Sequence, residues 1–189
     1  MKRFITVIIS ILLVLSLCAC GEKDTNSDGN SVDLEYHVKL GQIPECEFAL
    51  GDSVDKIKEH YSSEQESAEE HSDHSHDIYE IIEGEKTVLI DCGTYGYYYV
   101  KDNEADGISF IVSYEDAFGF EMGALVTDIE KSLSGLKYTE EDANEENTFF
   151  MMGTSGSVLK CNISDYTLMF VFDNDALCAT ALYVTEDWE

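Results

Sequence analysis

The feature that most constrains the fold is a segment that occurs twice along the chain. Residues 48–57 (FALGDSVDKI) align with residues 120–129 (FEMGALVTDI), and the Phe, Gly, Val and Ile positions match. A second pair of blocks, residues 97–116 and 168–187, aligns without gaps and in the same order. The offsets of the two pairs are 72 and 71 residues. Because both pairs of blocks are separated by nearly the same number of residues, they predict a duplicated module.

Each copy begins with the pattern of an amphipathic helix. Apolar residues recur at i, i+3 and i+7 in both copies, at Val54, Ile57 and Tyr61 and at Val126, Ile129 and Leu133. This spacing lines one face of a short helix. Asp52 or Ser53 can cap the first helix, because a short polar side chain there accepts an otherwise unpaired amide hydrogen.

Strand-like apolar runs follow each helix. They cover residues 86–92, 97–101 and 108–113 in the first copy, and residues 148–152, 157–163, 167–172 and 176–184 in the second. Asp102-Asn103-Glu104 and Asp173-Asn174-Asp175 separate the last two strands of each copy, and Asn and Asp favour tight turns. The pattern predicts an α+β fold of two tandem repeats, each a short helical segment followed by an antiparallel β-meander.

The predicted domain boundaries follow from this plan. Residues 34–116 form the first repeat, which a polar, His-rich loop interrupts at residues 62–77. Residues 117–189 form the second repeat. One or two small domains fit this length equally well.

The amino terminus has the pattern of a secretory leader. Lys2 and Arg3 precede an apolar run over residues 4–17, which is shorter than the roughly 20 residues of a membrane-spanning helix. Ala19 is the small residue that signal peptidases prefer directly before a cleavage point at Cys20. Leu17 makes Cys18 a poorer acceptor.

Residues 17–21 (LCACG) resemble the lipobox of bacterial lipoproteins. The resemblance implies that residues 1–19 are a cleaved signal peptide and that Cys20 carries a diacylglyceryl group on its sulfur. Residues 20–33 are then a lipidated cysteine and a flexible polar tether. The expected location is the extracytoplasmic face of the cell membrane, with the lipid anchor as the membrane contact.

The charge of the chain restricts its partners. Its 189 residues carry a formal net charge of −28, and removal of residues 1–19 leaves 39 acidic and 9 basic side chains, or about −30. Such a chain repels nucleic acid and anionic lipid headgroups and attracts cationic partners. The plainer interpretation is that acidity keeps an envelope protein soluble. Either way, nucleic acid is excluded as a partner.

Four cysteines remain beyond the predicted anchor: Cys46, Cys92, Cys161 and Cys178. They allow three disulfide connectivities in an oxidising compartment, and free buried thiols are the alternative. The sequence does not choose among these states.

The helix-plus-meander plan, with its glycine-containing helix entry, resembles beta-lactamase inhibitory protein and the small lipoproteins of the outer-membrane assembly machinery. In those families the sheet forms a concave face that binds other proteins. The resemblance therefore implies a binding module rather than an enzyme. The cysteine positions, the His-rich loop and the charge of this chain depart from the family pattern.

A tyrosine-rich strand is the candidate binding element. Strand alternation sends Tyr97 and Tyr99 to the face opposite Tyr98 and Val100. If the face of Tyr97 and Tyr99 is open, these rings make a protein-binding or glycan-binding surface. Core packing is the alternative use of the same residues.

Two polar segments are candidate metal sites. His60, His71, His74 and His76 lie among Glu and Asp residues, a donor set that suits zinc, nickel or copper. Residues 24–35 match the spacing of an EF-hand calcium loop, although Ser31 stands at a position that is normally apolar. A solvated loop and a polar tether are the plainer interpretations.

The sequence contains no catalytic motif of the serine hydrolase, zinc protease or phosphate-binding type. We therefore expect no enzymatic activity. The primary hypothesis is a membrane-anchored extracytoplasmic lipoprotein that binds an envelope or secreted protein. The alternative is a divalent-metal-binding envelope lipoprotein that uses the His/Glu-rich loop.

Overall fold

The computed structural model describes residues 32–69, 79–101, 107–151 and 156–188. Within these ranges the chain forms one eight-stranded antiparallel sheet and a few helices. The helices are α1 (Leu34–Lys39), α2 (Val54–Glu69), α3 (Val126–Ser132) and α4 (Thr185–Trp188). The strands are β1 (Glu80–Glu83), β2 (Thr87–Asp91), β3 (Tyr95–Val100), β4 (Phe110–Ser113), β5 (Tyr138–Asp142), β6 (Ser157–Ile163), β7 (Tyr166–Asp173) and β8 (Ala176–Val184).

The sheet joins two meanders edge to edge. Its strand order is β1-β2-β3-β4-β8-β7-β6-β5. Helix α2 precedes the first meander, β1 to β4, and helix α3 precedes the second, β5 to β8. The last strand of each meander lies at the centre, where Phe110 faces Tyr183 and Ile111 faces Leu182. Both halves of the chain therefore share one sheet, and the predicted α+β class agrees with it.

The two predicted helices begin where the sequence places them. Helix α2 starts at Val54, and the Ser53 hydroxyl accepts a hydrogen bond of 3.3 Å from the amide of Lys56. Asp52 instead accepts from the amide of Ala49 at 2.9 Å, so Ser53 is the residue that caps the helix. The i, i+3, i+7 residues of α2 and α3 belong to one hydrophobic cluster with the sheet.

The turn between β7 and β8 confirms the predicted Asp-Asn-Asp turn. Asn174 and Asp175 both have positive φ, at 49° and 66°. Short polar side chains tolerate this left-handed conformation, and two such residues in sequence match the twist of a hairpin. The corresponding segment of the first half, Asp102-Asn103-Glu104, lies outside the described residues.

One predicted strand is wrong. Residues 148–151 form turns, and the first strand of the second meander is β5, whose side chains are exposed throughout. Strand β1, at the opposite edge of the sheet, is equally exposed and is also missed by the periodicity. Neither edge strand buries a face, so neither shows the alternation that predicts strands. Their Glu residues discourage pairing with another sheet.

Candidate functional site

The sheet has two unlike faces. Helices α2 and α3 and their cluster cover one of them. The other, which we call the outer face, carries Tyr98, Phe110, Met169 and Tyr183. Phe110 and Tyr183 are direct partners on β4 and β8, and their rings stack with centroids 5.3 Å apart and planes 8° apart. The central strand pair thus builds an aromatic floor on the outer face.

The described part of the connection from β5 to β6 packs on this floor. The ring of Phe149 contacts Phe110 at 5.3 Å between centroids, and Phe150 contacts the same ring at 5.3 Å. The hydroxyl of Tyr114 donates a hydrogen bond of 2.9 Å to the carbonyl of Phe150. The apolar side chains that predicted a strand are therefore used to pack against the sheet.

Two asparagines hold the start of this connection. The Asn144 side chain accepts from the amide of Asn147 at 3.2 Å, and the Asn147 side chain accepts from the amide of Asn144 at 2.8 Å. Both side-chain amides also donate to the carbonyl of Asp142. The reciprocal arrangement satisfies backbone groups in the manner of a helix capping box. Phe149 lies two residues after Asn147 in the same run of turn residues.

The carboxyl-terminal helix completes the cluster. Trp188, the single tryptophan of the chain, stacks on Phe149 with centroids 5.3 Å apart and planes 5° apart. Its indole Nε1–H donates to the Ser109 hydroxyl at 3.0 Å. Because that is the only polar group of an indole, the remaining surface of Trp188 is apolar.

A cleft of about 330 Å³ opens at this cluster. Its aromatic and apolar lining consists of Phe110, Phe149, Met169, Tyr183 and Trp188, and its polar rim of Glu141, Asn144, Glu146, Asn147 and Lys160. Phe149 is 45% exposed, which is unusual for a phenylalanine inside an aromatic cluster. The cleft therefore has a mixed lining, in which an exposed aromatic ring lies beside polar and charged side chains.

The rim of the cleft is acidic. The Lys160 ammonium lies 3.1 Å from the Glu141 carboxylate. The positive charge of Lys160 is therefore balanced by an acidic side chain of the same rim. Within the described residues, Glu146 takes part in no ion pair. The cleft therefore keeps one uncompensated carboxylate beside its aromatic wall.

The tyrosines near the cluster are neutral at physiological pH. Burial raises the pKa of the Tyr98 hydroxyl above its ordinary value, and the charge of Asp91 adds to the shift. Burial also raises the pKa of Tyr114 to about 12. These hydroxyls act as hydrogen-bond groups, not as bases.

Tyr97 and Tyr99, the predicted binding residues, lie on the helix-covered face. Their exposed fractions are 0% and 5%, and both belong to the core cluster beneath α2. The ring of Phe48 contacts Tyr97 edge-on at 5.6 Å. The alternation of the strand is as predicted, and Tyr98 lies on the opposite face, where it is 7% exposed within a second buried cluster. Tyr97 and Tyr99 are buried because the helices cover their face, and the alternation of side chains along a strand does not indicate which face is covered.

The predicted metal residues fall largely outside the described ranges. His71, His74 and His76 lie there, as do residues 24–31 of the EF-hand-like segment. Asp33 of that segment caps α1 by accepting from the Tyr36 amide at 3.0 Å, and Glu35 pairs with Lys39 at 2.6 Å. In the part of the chain that the structure describes, no group of three His, Cys, Asp or Glu side chains is arranged to hold a metal ion.

The four cysteines beyond Cys20 are thiols in this structure. Cys46 and Cys161 are buried, whereas Cys92 and Cys178 are half-buried. Burial raises the pKa of Cys46 far above its ordinary value of 9.0, and the charges of Glu45 and Glu115 act in the same direction. Buried, protonated thiols are unreactive.

Two residues of the cleft were missed by the sequence reasoning. Phe149 was assigned to a strand, and Trp188 was not assigned a role. A lone tryptophan that directly follows the last strand is the signal that could have drawn attention, because an amphipathic aromatic ring is frequently found at binding surfaces.

Comparison with known proteins gives no relative. No family model, no curated protein and no solved structure matches the chain. Among the described helices, none is long and apolar enough to cross a membrane.

Proposed function

We propose that this protein is a membrane-anchored extracytoplasmic lipoprotein that binds another protein and catalyses no reaction. The binding surface is the aromatic cleft of the outer face. The observation that carries the proposal is the stack of Phe149 on Trp188, in which a large apolar ring remains exposed at a concave site. Rigid aromatic side chains that are held in place by their neighbours are the usual anchors of protein interfaces.

The charge of the chain supports a cationic protein partner. The formal net charge is −28, and the rim of the cleft contributes an uncompensated carboxylate. Complementary charge speeds association and selects partners, and it disfavours nucleic acid and anionic lipid. The partner is expected among envelope or secreted proteins, since Cys20 would place the module outside the cytoplasm.

The fold supports an origin by duplication. Each half supplies a helix and then a four-stranded meander, and the halves meet through equivalent last strands, β4 and β8. This arrangement agrees with the repeated blocks in the sequence. It also agrees with the resemblance to tandem-repeat binding modules, in which the sheet face is the binding surface.

Site-specific photo-cross-linking tests the proposal in the envelope of the producing bacterium. A benzophenone amino acid replaces Phe149 in one variant and Tyr36 in the other. Tyr36 is a matched control, because it is an aromatic residue of α1 with 56% exposure and lies outside the cleft. We expect a discrete cross-linked protein from position 149 only, and a weaker one when Trp188→Ala is added.

Two results would contradict the proposal. One is the same set of cross-links from positions 149 and 36, which would indicate random encounters. The other is a cross-link from position 149 that Trp188→Ala leaves unchanged in a folded protein. Folding of each variant is checked by circular dichroism.

A further inference from the structure

The polar groups of the cleft are almost all used within the protein. The side chains of Asn144 and Asn147 bond to each other's backbone and to the Asp142 carbonyl. The indole N–H of Trp188 is bound to Ser109, and Lys160 is bound to Glu141. What remains for a ligand is the ring surface of Phe149 and Trp188 and the carboxylate of Glu146.

Ring surface and carboxylate attract the same kind of group. The face of an aromatic ring carries negative electrostatic potential, and a cation within about 6 Å of the ring centre is attracted to it. The Phe149 and Trp188 rings lie in nearly parallel planes, 5° apart, and are stacked, so each covers part of one face of the other, and Phe149 still has 45% of its surface exposed where it lines the cleft. The carboxylate of Glu146 adds a full negative charge at the rim of the same cleft. A neutral or anionic group would satisfy only one of these features or neither.

We propose that the cleft binds the guanidinium group of an arginine side chain on the partner protein. The inference rests on the proposed function and names the chemistry that the cleft recognises. Arginine fits better than lysine because its guanidinium is planar, is weakly hydrated, stacks on aromatic rings and can donate two parallel hydrogen bonds to a carboxylate.

The single tryptophan gives a direct measurement. In the ¹⁵N-labelled full-length protein in neutral detergent, the indole N–H signal reports on Trp188 alone. The protein is titrated with N-acetyl-arginine methylamide, with the corresponding lysine compound and with the corresponding citrulline compound. Citrulline is the matched control, because its urea group has the shape of a guanidinium without the charge.

We expect the arginine compound to shift the Trp188 signal and to saturate in the millimolar range, which is typical of one side chain alone. The lysine compound binds more weakly, and the citrulline compound gives no shift. Glu146→Gln weakens arginine binding about two- to five-fold, the range of an exposed ion pair. Glu145→Gln, an exposed neighbour outside the lining, leaves it unchanged. Added salt weakens binding, since the charges are screened.

An equal shift with citrulline would overturn the inference, because the cleft would then recognise shape and not charge. The absence of a shift with every compound would overturn it as well, and so would arginine binding that Glu146→Gln does not change. In each case the cross-link from position 149 can persist, so the proposed function can stand where this inference fails. Loss of the cross-link with arginine binding intact would contradict the proposed function, while the chemical preference of the cleft would stand.

Discussion

The carboxylate of Glu45 accepts a hydrogen bond of 2.9 Å from the backbone amide of Phe118. It also accepts one of 3.3 Å from the amide of Gly119. Phe118 and Gly119 both have positive φ, at 55° and 77°, so their successive amides point to one side and form a concavity for an anion. This contact joins the segment before α2 to the segment that follows β4, and so connects the two halves of the chain.

Glu45→Ala should lower the free energy of unfolding by about 1–2 kcal/mol, since it removes a charged acceptor from two amides. Glu45→Gln should cost less, because its carbonyl still accepts one bond. Urea unfolding followed by circular dichroism measures both values. Equal stability of Glu45→Ala and the unmodified protein would show that water replaces the carboxylate without loss.

Asn147→Ala should loosen the connection that carries Phe149. The change removes the acceptor of the Asn144 amide and a donor to Asp142, which is expected to cost about 1 kcal/mol. The fluorescence emission of Trp188 should shift to longer wavelength, because a mobile Phe149 would leave the indole ring more exposed to water. Glu145→Gln, an exposed change in the same connection, is the control and should leave the emission unchanged. Unchanged emission in Asn147→Ala would mean that Phe149 is held by the aromatic cluster alone.

Stability should fall at alkaline pH. The buried Cys46 thiol has a pKa far above 9.0, so above pH 9 the unfolded chain loses a proton that the folded chain keeps. This contribution is complete below pH 9 and is lost as the pH rises, at about 1.4 kcal/mol per pH unit for each such group. Burial likewise raises the pKa of Tyr97 and Tyr98 above 10.0, which extends the decline.

Urea unfolding from about pH 7 to about pH 11 measures this decline. Cys46→Ala should show a shallower decline than the unmodified protein, although its stability at neutral pH is lower because of the cavity. A parallel decline in both proteins would show that Cys46 does not contribute to it.

Tyr97→Ala should destabilise the protein by about 3–5 kcal/mol, the cost of removing a large ring from a core. The side chain has no exposure and packs against Phe48. Tyr36→Ala is the comparison, because that ring is 56% exposed and should contribute less than 1 kcal/mol. Unfolding in denaturant distinguishes the two variants. A stable Tyr97→Ala protein would be incompatible with the packing of β3 beneath α2.

Cys20→Ser should release the protein from the membrane fraction, because the acyl chains contribute about 0.8 kcal/mol per buried methylene. Labelling of cells with an alkyne fatty acid should mark the unmodified protein and should not mark this variant. Cys18→Ser provides the control and should keep the label, since Leu17 disfavours cleavage before Cys18. Label retained in Cys20→Ser would assign the modification to another residue.

Several elements of the fold follow from local sequence. The bounds of β6 and β8 are those expected from their apolar runs, at 157–163 and 176–184. Helix α2 begins directly after its predicted cap, because the i, i+3, i+7 pattern and the Ser53 hydroxyl are both local properties. The turn at Asn174 and Asp175 likewise depends on the backbone preferences of those two residues.

Other features depend on contacts between distant residues. Which side of β3 is buried depends on where α2 packs, and the alternation of Tyr97, Tyr98 and Tyr99 is the same for either choice. The edge strand β5 exists because β6 offers it free backbone groups, although its own side chains bury nothing. Neither the buried side of β3 nor the existence of β5 can be predicted from a short stretch of sequence.

The sequence by itself determined helices α2 and α3, most central strands and the strong negative charge, since these depend on local periodicity and composition. Only the tertiary structure decided where the cleft that we propose as the binding surface forms. The cleft forms because the pairing of β4 with β8 brings Phe110 to Tyr183, and because Phe149, from the β5–β6 connection, and Trp188, from α4, stack on each other and contact Phe110. Such a site is a sum of long-range contacts, and the stabilisation of each ring comes from partners that are far away in the chain.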